Sequence, residues 1–151
     1  MDTESPPPAL FTIGFTKRSA ENFFTTLQTA GVRKVIDTRL NNRNQLAGFS
    51  KRYDLEYFLR TIAGIDYEHD LDFAPTAEIL KPYKQGIMTW EEYQREFNAL
   101  LSERAPAEDH TRERFDGACL LCSEHEPDFC HRRLVAEYLQ RQWPDLAVRH
   151  L

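Results

Sequence analysis

The sequence predicts an α/β fold, a three-layer sandwich whose mainly parallel sheet has about five strands. Three observations predict it. Short apolar, β-branched runs alternate with segments whose apolar residues recur at helical spacing. The run Ala118–Cys122 is almost wholly apolar, as a strand covered on both faces must be. Gly14 stops the first apolar run, and Gly31 and Gly64 suit the ends of the helices that precede them. Right-handed crossovers between parallel strands then place helices over both faces of the sheet.

Residues 1–8, polar and then triple proline, read as a disordered or extended lead-in, and 9–151 as a single α/β domain. Ala9–Ile13 and Val32–Ile36 are strand candidates, stopped by Gly14 and Asp37. Between them Ser19 can cap a helix with Phe23, Phe24, Leu27 and Ala30 on one face. A second helix carries Leu55, Phe58, Leu59 and Ile62, and Ile65–His69 is a short extended segment after it. Thr89 and Glu92 form a capping box, with Met88 and Tyr93 in staple positions, ahead of Phe97, Leu100 and Leu101. Residues 103–116 are charged, lack apolar periodicity and read as an exposed connection. After the apolar strand Ala118–Cys122 comes a helix with Leu134, Val135, Tyr138 and Leu139, stopped by Trp143 and Pro144, and Leu146–Leu151 reads as a last strand.

Composition sets outer limits. A chain of 151 residues with 41% hydrophobic and 28% charged residues can bury one core. Its formal charge of −5 counts against coating nucleic acid or an anionic membrane through the overall field. A local basic stretch remains, since residues 33–60 hold seven Lys or Arg against three Asp or Glu. No apolar run approaches the roughly 20 residues of a membrane span, and MDTESPPPAL has neither a basic n-region nor an apolar h-region, so a cytoplasmic protein is expected. Three cysteines make no disulfide framework, and reduced thiols are expected.

In a parallel α/β sheet, ligands bind beyond the carboxyl ends of the strands. The segments after the strands, Gly14–Lys17, Asp37–Arg43, His69–Asp70 and Ser123–Arg132, therefore hold the candidate site. The densest constellation is Cys122-Ser123-Glu124, followed by Cys130-His131-Arg132-Arg133. Asp128 is the expected N-cap, which would put Cys130 and His131 in a helical first turn, where an anion or a thiolate is stabilised. The competing reading is that both cysteines are packing residues and the arginines lie on a solvated face. The second constellation is Asp37-Thr38-Arg39 with Asn41, Asn42, Arg43, Asn44 and Gln45: a forked donor beside amides that could read a polar ligand. Its competing reading is an internal ion pair of Asp37 with Arg39 or Arg132.

Residues 66–78 carry five acids and no base, and His69, Asp70 and Asp72 match no metal-ligand spacing, so a solvated acidic loop is expected. Cys119 and Cys122, three apart on one strand, should face opposite sides of the sheet, unlike a zinc-binding CxxC, so no metal site is expected. No G-x-G-x-x-G, P-loop, G-x-S-x-G elbow or cysteine-phosphatase loop is present.

From Leu10 to Leu151 the chain resembles the domain-of-unknown-function family 488. The resemblance rests on Thr12-Ile13-Gly14, on Asp37-Thr38-Arg39, and on Leu121-Cys122-Ser123-Glu124 with Cys130-His131-Arg132. Arg39-Leu-Asn-Asn42, Gln45-Leu-Ala-Gly-Phe49 and Ala74-Pro75-Thr76 resemble one branch. Phe15 stands where much of the family has histidine, and Asn42 and Asn44 where it has proline and serine, so no role for that histidine carries over. The resemblance implies that Asp37, Arg39, Cys122, Glu124, Cys130, His131 and Arg132 converge, and it supplies no reaction.

The resulting expectation is an enzyme acting on a small anionic or phosphate-bearing substrate, nucleotide or nucleic-acid-related. Its catalytic candidates are Cys122, Glu124, Cys130 and His131. Its substrate-binding candidates are Gly14, Thr16, Asp37, Arg39, Arg43 and Arg132, with Arg39 and Arg132 holding the anion. The alternative is a non-catalytic ligand-binding or thiol redox-sensing module. Residue patterns name no cofactor or oligomeric state and point to no membrane partner.

Overall fold

The computed structural model describes residues 7–43 and 48–151. Five strands form one all-parallel sheet: β1 (Ala9–Gly14), β2 (Lys34–Asp37), β3 (Asp66–His69), β4 (Ala118–Cys122) and β5 (Ala147–His150), in the order β3-β2-β4-β1-β5. The apolar strand β4 lies at the centre with every residue buried. Residues 1–6 of the expected lead-in fall outside the described residues, as do Asn44 and Gln45. Pro8 is already part of the fold, since its carbonyl accepts the Ala147 N–H at 2.8 Å.

Helices α1 (Ala20–Ala30) and α2 (Arg52–Phe58) cover one face, packing Phe23, Leu27 and Leu55 against Ile13, Val35 and Leu121. Ser19 caps α1 by accepting the Asn22 N–H, and Gly31 ends it in the left-handed region, as its sequence predicts. A π-helical turn over residues 59–63 extends α2 to Gly64, whose φ of 65° lets the chain reverse into β3. Helices α3 (Ala77–Lys84), α4 (Trp90–Arg104) and α5 (His131–Gln142) occupy the other face, where Tyr93, Phe97, Leu134 and Leu139 meet Leu10, Ile36 and Leu120. Two helical layers around a parallel sheet make the three-layer sandwich.

Several local expectations are corrected. The Thr89 hydroxyl does accept the Glu92 N–H, but the Glu92 carboxylate bonds back to that hydroxyl and not to the Thr89 N–H. Asp128 is not an N-cap: α5 starts at His131 with Cys130 at its cap, and the Asp128 carbonyl accepts from Arg133. The stretch 103–116 is no passive connection, because Phe115 is fully buried and Arg114 pairs with Glu68 at 2.5 Å and Asp70 at 2.7 Å. Those pairs, with Lys34 on Glu68, also mean that two of the five acids, Glu68 and Asp70, are neutralised against the sheet edge, while Asp66, Asp72 and Glu78 are exposed as expected. Helix α3 was not foreseen: Pro82 lies inside it and it buries no residue completely, so neither propensity nor periodicity marks it clearly.

Candidate functional site

The strand order creates the site. The chain leaves β2 toward α2 on one face and leaves β4 toward α5 on the other, so a crevice opens beyond the carboxyl ends of these adjacent strands. Thr38 fastens its two sides, its N–H and hydroxyl both donating to the Leu121 carbonyl, at 3.0 and 2.8 Å.

At the β2 end Asp37 is wholly buried. Its Oδ1 accepts the Arg39 N–H at 3.1 Å and Nε at 2.9 Å, and its Oδ2 accepts Arg39 Nη2 at 2.9 Å. Tyr67 Oη and Asn42 Nδ2 also donate to Oδ2, at 2.6 and 3.2 Å. Burial alone would raise the Asp37 pKa, but the hydrogen bonds and charge of Arg39, with the Tyr67 bond, hold it below the ordinary carboxylate range. Arg39 is 3% exposed. Its Nη2 also reaches the Ser50 carbonyl at 2.7 Å, its plane lies 5.2 Å over Phe15, and His69 Nε2 donates to its carbonyl at 2.7 Å. Phe15 thus serves as the platform for Arg39. One donor remains: Arg39 Nη1 is buried without a partner.

At the β4 end the chain crosses over Gly14. A Cβ on Gly14 would lie 2.5 Å from the Glu124 carbonyl carbon and 2.8 Å from Arg132 Nη1, so only glycine lets the loop pass. Arg132 is fully buried beneath that loop. Its Nε donates to Thr12 Oγ1 at 3.2 Å, Nη1 to Cys122 Sγ at 3.2 Å and to the Glu124 carbonyl, and Nη2 to the His125 carbonyl at 3.2 Å. Burial lowers its pKa to about 10, so the guanidinium stays charged at neutral pH. Thr16 supports the loop from outside, its hydroxyl donating to the Ser123 carbonyl at 2.7 Å.

Between these ends lies a cavity of about 130 Å³. Arg39, Cys122, Cys130 and His131 line it from buried positions, while Lys84 and Glu124 line it from exposed ones. Leu80, Tyr83, Tyr93 and Phe129 supply apolar and aromatic wall. The Tyr83 hydroxyl donates to the Phe129 carbonyl at 3.2 Å, latching α3 onto the β4–α5 loop. Cys122 and Cys130 are joined by a disulfide, which corrects the expectation of three free thiols. Cys119 alone is free, and burial pushes its thiol pKa up. His131 Nε2 donates to the Thr38 carbonyl at 2.8 Å, and its ring packs edge-on to Phe97. Burial pulls its pKa down to about 4, against the raising effect of the Thr38 hydrogen bond, so it is a neutral imidazole with Nδ1 as its lone-pair nitrogen.

Of the catalytic and substrate-binding candidates, Arg39, Cys122, Glu124, Cys130 and His131 share one cavity, and Asn41 of the second constellation lines it too. Asp37 and Arg132 lie behind it as supports, every polar atom of the Arg132 side chain being spent on the protein. Gly14 and Thr16 position the loop. Arg43 is exposed, 5.7 Å over the Tyr53 ring and outside the cavity lining. Sequence reasoning missed Tyr83, Lys84 and Phe129 as cavity residues. Thr76 before Ala77-Glu78-Ile79-Leu80 carried a faint helix-start signal that Pro82 obscured. Among the described residues no group of three His, Cys, Asp or Glu side chains is placed to hold a metal ion, and no helix is long and apolar enough to cross a membrane.

An all-parallel sandwich with a polar cavity at the β2/β4 crevice, framed by D-x-R and by C-x-E with C-H-R, defines a class of small α/β proteins with a strand-end pocket. Residues 19–139 match the family described as Domain of unknown function DUF488, and the chain belongs to that family. No curated protein and no solved structure matches it.

Proposed function

We propose that the protein is an enzyme that binds a small oxyanion-bearing substrate in this cavity, with Arg39 as the principal anion ligand. The supporting observation is Arg39 Nη1, a charged donor that is buried, unpartnered and part of a cavity-lining side chain. A buried guanidinium donor without a protein acceptor has an unmet hydrogen bond, which a carboxylate or phosphate oxygen that reaches it would satisfy. Lys84 replaces Arg132 as the second cation, and Glu124 is the carboxylate available for proton transfer. His131, neutral and with Nε2–H committed, offers only an acceptor. The cavity is smaller than the roughly 300–1,000 Å³ of drug-sized pockets, so a phosphate or carboxylate with few attached atoms fits, and the remainder of a nucleotide would lie outside.

Thermal-shift titration with inorganic phosphate, sulfate and small carboxylates tests this reading. At least one should stabilise the protein saturably. Lys84→Met should weaken that ligand's affinity by roughly fivefold, the equivalent of about 1 kcal/mol for an exposed charge. Absence of any saturable response, or a response that Lys84→Met and Arg39→Lys both leave intact, refutes it.

A further inference from the structure

We propose that Cys122 and Cys130 form a working dithiol–disulfide couple that exchanges with small carboxylate-bearing disulfides and thiols, Cys122 being the sulfur that attacks. The proposal rests on the oxyanion site above and names the kind of molecule it holds. The end of β4 and the N-cap of α5 each bring one sulfur to the same cavity wall, where the sulfurs are bonded. Cys119 is different, being sealed in the opposite core layer and away from the cavity. Arg132 Nη1 donates to Cys122 Sγ, a charged donor that favours the thiolate once the bond is reduced. Cys130 stands at the N-terminus of a 12-residue helix, whose dipole favours negative charge there. Arg39 and Lys84 line the same cavity and can hold the carboxylate of an entering molecule while its sulfur meets the pair.

The chemistry balances without a metal or cofactor. In the dithiol form, the Cys122 thiolate attacks a small disulfide, a bond forms from Cys122 Sγ to one sulfur of the reagent, and the other leaves as thiolate and takes a proton from water. Cys130 then loses its proton to water and attacks Cys122 Sγ, forming the internal disulfide and releasing the second thiol. The protein is oxidised by two electrons and the small disulfide is reduced to two thiols. Excess small thiol runs the sequence backward.

The test uses the reduced full chain, glutathione disulfide as the anionic reagent and hydroxyethyl disulfide as the neutral one, with intact-mass readout and circular dichroism to verify folding. Wild type should lose two hydrogens and keep no adduct. Cys130→Ser should trap one glutathione on Cys122, and Cys122→Ser should react at least tenfold more slowly, with Cys119 unmodified throughout. Glutathione disulfide should outpace the neutral reagent, and Lys84→Met should narrow that difference. Adduct formation at equal rates in the two serine variants overturns the assignment of Cys122, and failure of the folded wild type to oxidise overturns the couple. Equal rates with both reagents, insensitive to Lys84→Met, overturn the carboxylate preference while the couple stands. Saturable stabilisation by inorganic phosphate without any sulfur exchange overturns the couple and leaves the oxyanion site standing.

Discussion

Replacing Asp37 by asparagine changes one atom and keeps the side-chain shape. The amide oxygen can still accept the Arg39 N–H and Nε, but its NH₂ then sits where Oδ2 lay, 2.9 Å from Nη2, and sets donor against donor. Arg39 is left as a buried cation with no countercharge, retaining the Ser50 carbonyl on Nη2. Breaking such a pair costs about 3–5 kcal/mol, because the surviving charge has already lost its water. At a urea m-value of about 2 kcal/mol/M the midpoint should fall by roughly 1.5–2.5 M at pH 7. The double variant Asp37→Asn/Arg39→Met removes both charges and should lose less than the sum of the single losses, with a coupling of about 2 kcal/mol. The pH dependence has a defined sign. A carboxylate whose folded pKa lies below 3.8 contributes its full stabilisation above that pH and loses it as pH falls through the folded value, so wild type and Asp37→Asn should converge in acid. A single-variant loss below about 1 kcal/mol, or simple additivity in the double variant, would show that the pair is not a buried structural charge pair.

Gly14→Ala forces the Glu124 peptide and Arg132 off a methyl group that has no room. It should cost about 1–3 kcal/mol by equilibrium unfolding and abolish the anion-induced thermal shift; an unperturbed shift would mean the loop does not shape the cavity. His131, with a folded pKa of about 4 against 6.5 unfolded, makes the unfolded chain take up a proton first on acidification. Stability should therefore decline between pH 6.5 and 4 by about 3 kcal/mol more in wild type than in His131→Gln, and parallel pH profiles would contradict a buried neutral imidazole.

The fold was legible because its strongest signals are local. The Ser19 and Thr89 caps, the left-handed glycines 31 and 64 and the apolar run of β4 each specify backbone geometry from a few neighbouring residues. The cluster of site residues was legible for a topological reason, since polar residues after strands of a parallel sheet must meet at one edge. Roles within the cluster were not. Whether Arg39 or Arg132 offers a donor to a ligand depends on which guanidinium nitrogen finds a protein acceptor, and those acceptors, the Ser50, Glu124 and His125 carbonyls, are set by loop paths that periodicity does not encode. Lys84 and Tyr83 were hidden because α3 takes its position from Tyr83 stacking 4.4 Å from Tyr93 and from its latch to Phe129, both of them contacts with other elements.

The central position of β4 governs how the cavity comes into being. Strands β1 and β2 are not neighbours; the slot between them is filled by a segment that follows β2 by some eighty residues, so until β4 threads in, Thr38 lacks its Leu121 acceptor and no sulfur faces Arg39. Formation of the cavity is thereby tied to a long-range step in sheet assembly. A chain trapped before that insertion would carry much of its helical content and no assembled cavity, so helicity alone is a poor gauge of whether the cavity has formed.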